Sequence, residues 1–190
     1  MPSHEMLRAV VAILASATLA WGGLTDVRTR LIPNRSIIVL LVLFLPWTAL
    51  DFGASTVSAL EAGALVLVVT FGLFAFRIFG AGDAKMISAM ALFMGLGYLP
   101  YFLFITAMAG GLFALMALAA RPQRALVMFA TRGRGDFGPG VPYGAAIAIG
   151  GVLTFWGMLH GGLEPYNYGP PQAHMAQPEL AHRLQALSAH

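Results

Sequence analysis

Six apolar runs, separated by short stretches that hold nearly all of the charge, limit what this chain can fold into. They fall at about Leu7 to Leu24, Ser36 to Leu50, Val57 to Phe79, Met86 to Leu99, Tyr101 to Ala120 and Val141 to Leu159. A helix crossing a ~30 Å hydrocarbon core takes roughly 20 residues, with 17 to 25 usual. Composition agrees: 58% of residues are hydrophobic, 10% are charged, and the mean hydropathy is +0.77, far from the balance of a soluble domain. The fold class expected is an all-α polytopic membrane protein with about six transmembrane helices.

One span needs a break. As a single helix, residues 86 to 120 would be ~52 Å long at ~1.5 Å per residue, too long for one crossing. Gly95, Gly97 and Pro100 supply the interruption, so two helices in a tight hairpin are expected. At the N-terminus, the run from Ala9 to Leu19 passes into Trp21 and Gly22 without a cleavage-site pattern, which predicts a retained helix. Residues 1–161 are expected to form the membrane domain, and 162–190, with Pro165, Pro170, Pro171 and Pro178, a flexible polar tail.

Charge orients the bundle. The first, third and fifth loops carry Arg28, Arg30, Arg35, Arg77, Lys85, Arg121, Arg124, Arg132 and Arg134, which leaves only Arg8 and Arg183 of the 11 Lys and Arg residues elsewhere. The excess of Lys and Arg on cytoplasmic loops puts those loops inside and both termini outside. With a net charge of only +3 spread over short loops, the basic residues face anionic lipid, and no nucleic-acid partner is expected.

Several chemistries drop out. The chain has no cysteine, which excludes disulfides, thiolate metal sites and a cysteine nucleophile. Its five histidines show no HExxH spacing, and neither a metal nor a cofactor is expected.

Two acids stand out at helix ends on the predicted cytoplasmic side, Asp26 and Asp83. Asp51 and Glu61 fall on the opposite side and read as solvated acids. The first cluster runs Asp26-Val27-Arg28-Thr29-Arg30-Leu31-Ile32-Pro33-Asn34, with Asp26 ending a helix and Pro33-Asn34 turning into the next. Its plain alternative is an ion pair of Asp26 with Arg28 or Arg30. The second is Gly80-Ala81-Gly82-Asp83-Ala84-Lys85, whose glycines allow a positive φ or a close approach of another backbone. Its plain alternative is a turn with Asp83 as a helix cap. Neither a P-loop nor a dinucleotide fingerprint fits, because the later glycine and the Lys-Ser/Thr pair are missing.

Taken together, two carboxylates held close at a partly desolvated interface do not both ionise easily, so one keeps a proton while the other is charged. Such a pair activates a water with its ionised member and protonates the scissile carbonyl with the other.

Asp26-x-Arg28 followed by Ile32-Pro33-Asn34, then Gly80-x-Gly82-Asp83-x-Lys85, and finally Val141-Pro142-Tyr143-Gly144 before the last helix, resembles the type IV prepilin peptidases, GxGD aspartic proteases of bacterial inner membranes. The resemblance implies Asp26 and Asp83 as the catalytic pair. Gly80 and Gly82 shape the backbone beside it, Lys85 matches the motif, and Arg28, Pro33 and Asn34 shape the loop. It also implies prepilins as substrate partners. Longer members carry a Cys-x-x-Cys domain with N-methyltransferase activity; this cysteine-free chain looks like the short, peptidase-only form of Flp or tight-adherence pilus systems. The alternative is a small ion- or proton-coupled transporter or assembly subunit, since intramembrane acids also mark ion pathways.

Overall fold

The computed structural model describes residues 2–49, 55–76, 78–120 and 143–168. Among them there is no strand, and the helices are α1 (Pro2–Thr29), α2 (Asn34–Ala49), α3 (Thr56–Ala75), α4 (Ala81–Ala120) and α5 (Tyr143–Leu159). Their outward faces are as apolar as their inward ones: Val68, Phe71 and Phe104 are more than half exposed. A helix apolar all round belongs in lipid or deep in a core. By length and composition α1, α3 and α4 are long enough and apolar enough to cross a membrane, while α2 and α5 are shorter apolar helices.

The expected break in the fourth helix is present. Gly95 has φ 57° and ψ 179°, a backbone region open essentially to glycine alone, and it divides α4 into two arms. The second arm's first free donor, the Leu96 N–H, is satisfied by Ser58 Oγ at 2.9 Å. Gly97 and Pro100 are helical rather than part of the break. Pro100 denies the Leu96 carbonyl its usual i+4 donor, and the Tyr168 hydroxyl donates to that carbonyl at 3.1 Å instead. The Tyr166 N–H donates to the Gly97 carbonyl at 2.8 Å. The first residues of the polar tail thus lie on the hairpin tip; residues 169–190 fall outside the described residues, as does the basic loop at 121–142.

Contacts fix the direction of each segment. Along α3 and the first arm of α4, Ser58 meets Leu96, Gly63 faces Leu92, and Thr70 meets Ser88. The two therefore run antiparallel. Met90 of the first arm packs against Gly151 of α5, whereas Thr106 and then Gly110 of the second arm pack against Gly150 and Tyr143. The second arm therefore folds back beside the first. Trp156 Nε1 donates to Ser16 Oγ at 3.0 Å while Gly23 faces Ala148, which together set α1 antiparallel to α5.

The core lies away from the charged end. Trp47 of α2 stacks on Phe155 of α5 at 4.7 Å, and Phe93 of α4 meets Phe155 edge-on at 5.7 Å and Phe44 at 5.6 Å. Each such ring pair adds ~0.5–1.5 kcal/mol beyond its buried area. The larger consequence is register, because locking these rings brings the N-termini of α2, α4 and α5 level with one another. Small residues let the helices close up: a Cβ at Gly23 would lie 2.8 Å from the Ala148 Cβ and 3.2 Å from the Ala145 Cα.

Candidate active site

Asp26 sits in the last turn of α1, one turn past Gly22 and Gly23. The helix continues beyond it to Thr29, further than the apolar run suggests, and Thr25 and Thr29 satisfy their hydroxyls on the carbonyls of Trp21 and Thr25 at 3.0 and 2.8 Å. The chain then leaves through Arg30, whose φ of 58° is left-handed and whose N–H closes on the Asp26 carbonyl at 2.9 Å. Asp26 is 7% exposed. Its Oδ2 accepts from the backbone N–H of Gly144, the second residue of α5, at 2.8 Å. A buried carboxylate needs such donors, and this one is supplied by a free N–H of a helix's first turn.

Asp83 occupies the first turn of α4, three residues after Gly80. Its carboxylate reaches back to the Gly80 backbone N–H, as an acid at the third helical position does in a capping box. Glycine leaves room there for the Asp83 carboxylate, and no dihedral angle demands it. A Cβ on residue 80 would lie 2.7 Å from Asp83 Oδ2. Positive φ values occur, among the described residues, at Arg30, Gly95 and Gly161, so neither Gly80 nor Gly82 uses the left-handed freedom their motif allows.

The two carboxylates come within electrostatic reach of each other at this end of the bundle. Ile32 lies beside Gly82 and Gly144. A Cβ on Gly82 would be 3.2 Å from the Ile32 Cβ, and one on Gly144 would be 2.8 Å from its Cδ1 and 2.9 Å from the Asp26 Cβ. Lys85 Nζ donates to Asn34 Oδ1 at 3.4 Å, which joins the first motif to the second across an exposed edge. Pro33 accepts from the Ser36 N–H at 3.0 Å and leads into α2. Arg28 is exposed. The Phe79 and Tyr143 rings meet at a tilt, with centroids 5.4 Å apart, beside the two helix starts. Beside Asp26, an apolar groove of about 430 Å³ runs between α1 and α5 over Gly23, Val27, Ala145 and Ile149.

The structure therefore gathers Asp26, Asp83, Gly80, Gly82, Pro33, Asn34 and Lys85 at one end of the bundle. Glu61 lies on the exposed face of α3 toward its other end, and Asp51 falls outside the described residues. Two participants stand in the motifs without a role that composition or motif assigns. Ile32 is signalled only by its place in the Ile32-Pro33-Asn34 element, and Gly144, whose N–H has a partner no sequence pattern names, only by its place in the Val141-Pro142-Tyr143-Gly144 entry to the last helix.

Comparison with curated proteins gives no match, and neither does comparison with solved structures. The family model described as the Type IV leader peptidase family matches residues 13–115, more than half of the chain and a span that contains Asp26, Ile32, Gly80, Gly82 and Asp83. With that match covering both acid-bearing helix ends, the chain belongs to the type IV leader peptidase family.

Proposed function

We propose that this chain is a membrane aspartic endopeptidase that removes the basic leader from prepilins at the cytoplasmic face of a bacterial inner membrane. Asp26 and Asp83 are its catalytic pair. The observation that supports this reading is that two acids from helices far apart in sequence lie at the same end of the bundle, within electrostatic reach of each other and linked through Gly144, Ile32 and Gly82. Six helical crossings, both termini outside and basic loops inside follow from the charge distribution and are compatible with the alternating segment directions.

In this mechanism the pair shares one proton. The ionised member takes a proton from water, the water oxygen attacks the scissile carbonyl, and the protonated member donates to the carbonyl oxygen. Collapse of the tetrahedral intermediate breaks the C–N bond as a proton passes to the leaving amine. The two acids act as a unit, so neither carries a fixed role. A prepilin suits this geometry, since its apolar helix lies in lipid while the leader junction reaches the membrane edge. The absence of cysteine fits a peptidase-only form of the Flp type, without methyl transfer.

The test is incubation of the purified protein with candidate prepilins and mapping of the products by mass spectrometry. Cleavage at the leader junction, lost in both Asp26→Asn and Asp83→Asn, is the expected result. Cleavage that survives both substitutions overturns the assignment.

A further inference from the structure

We infer that Ile32 is the positioning residue that sets the spacing of the two carboxylates. The inference rests on the dyad reading above. Ile32 belongs to neither acid's helix, yet its side chain fills the space between the starts of α4 and α5. Its Cβ side faces Gly82, next to Asp83, and its Cδ1 faces Gly144, whose N–H holds Asp26. The two glycines open room on either side of one branched side chain, and a Cβ at either would press on it.

The mount is stiff. Arg30 turns the chain in a left-handed conformation closed by its bond to the Asp26 carbonyl, and Pro33 follows Ile32 directly. A residue before proline is confined to extended backbone, and a β-branched side chain has few χ1 choices. The Pro33 carbonyl is in turn tied to Ser36 at the start of α2. The partly buried Ile32 also packs on the hydrophobic core, so its position is referenced to the whole bundle. A rigid wedge of fixed width between two helix ends, each holding one acid, determines how far apart those acids stand.

Spacing can be read without relying on cleavage. The chain lacks cysteine, and Arg28 and Lys85, each two residues from one aspartate, are exposed. Spin labels on an Arg28→Cys/Lys85→Cys protein therefore report the separation of the two acid-bearing ends by electron-spin distance measurement. The label pair is compared with Ile32 intact, with Ile32→Ala and with the conservative Ile32→Val, all in detergent, alongside prepilin cleavage by the unlabelled single variants.

Ile32→Ala is expected to shift or broaden the distance distribution and to lower kcat at least about tenfold with KM little changed, since small misplacements of reacting groups are costly. Ile32→Val is expected to restore most of both, and it keeps the test informative if the alanine variant folds poorly. An unchanged distribution in Ile32→Ala overturns the inference, as does a changed distribution with unchanged kcat, or a rise in KM alone. If the parent protein cuts no prepilin, the dyad reading fails, while the distance arm still decides whether Ile32 sets the spacing.

Discussion

The backbone N–H of Gly144 donates to Asp26 Oδ2 at 2.8 Å, joining residues 118 positions apart in sequence. Through this bond the last described helix holds an acid that belongs to the first. The family match ends at residue 115, so the helix that fixes Asp26 lies beyond it.

Gly144→Ala tests that contact. The added methyl would lie 2.9 Å from the Asp26 Cβ, 3.0 Å from its Cγ and 2.8 Å from the Ile32 Cδ1, too close on every side. Either α5 backs away and lengthens the hydrogen bond, or Asp26 swings aside. Displacements near 1 Å cost on the order of 10²-fold in rate. A drop of that order in kcat/KM for prepilin cleavage is expected, and an activity equal to the parent's would show that Asp26 needs no support from α5.

Asp26→Asn and Asp83→Asn should leave the fold intact, because asparagine keeps an acceptor oxygen for the Gly144 or Gly80 N–H. Activity should fall by roughly 10³-fold or more in each, in line with the 10²–10⁴ supplied by a positioned acid or base. Groups that act as one unit are not additive, so the double variant should be no worse than either single. Losses that multiply in the double variant would mean that the acids act in separate steps. The checks are cleavage rates at saturating substrate and thermal unfolding in detergent.

How far sequence reached depends on what each residue does. Asp26 and Asp83 stood out because an acid in an apolar chain is conspicuous and the charge distribution predicts one side for both; the structure places them at one end of the bundle. Gly95 was legible as a break because a segment of that length cannot cross once. The helix ends were less so: α1 runs to Thr29, past its apolar run, and α4 begins at Ala81, where the Asp83 cap starts the helix ahead of its apolar run. The contacts of Ile32 and Gly144, both motif residues, were hidden for a different reason. One acts by shape and the other by a backbone donor, and both depend on which helix ends become neighbours, a property of the packed bundle.

Gly80→Ala separates placement of Asp83 from stability. The new methyl would meet Asp83 Oδ2 at 2.7 Å, and the only group that must yield is the end of a side chain. Rotation of the carboxylate relieves the clash and sacrifices its bond to the Gly80 N–H. The fold should therefore survive, with a change in unfolding free energy below about 1 kcal/mol, the usual net worth of a hydrogen bond. Cleavage should drop by roughly 10- to 100-fold with KM little altered. A variant that cleaves normally would show that Asp83 works from more than one rotamer.

Gly95→Ala should do the reverse, lowering stability with little direct effect on chemistry, because the hairpin tip is at the opposite end of the bundle from the acids. Holding a non-glycine residue at φ 57° and ψ 179° costs of order 1–3 kcal/mol. Ser58→Ala removes the donor's partner at the same tip, leaving the Leu96 N–H unsatisfied at a cost of about 1–3 kcal/mol. Both variants should unfold at lower temperature in detergent, and cleavage at temperatures where they remain folded should stay near the parent's. Because the Leu96 N–H is the first donor of the arm that Gly95 releases, the two substitutions act on one turn. Combined, they should cost less than the sum of their separate effects. Strict additivity would mean that the bond from Leu96 to Ser58 forms whether or not the chain turns at Gly95.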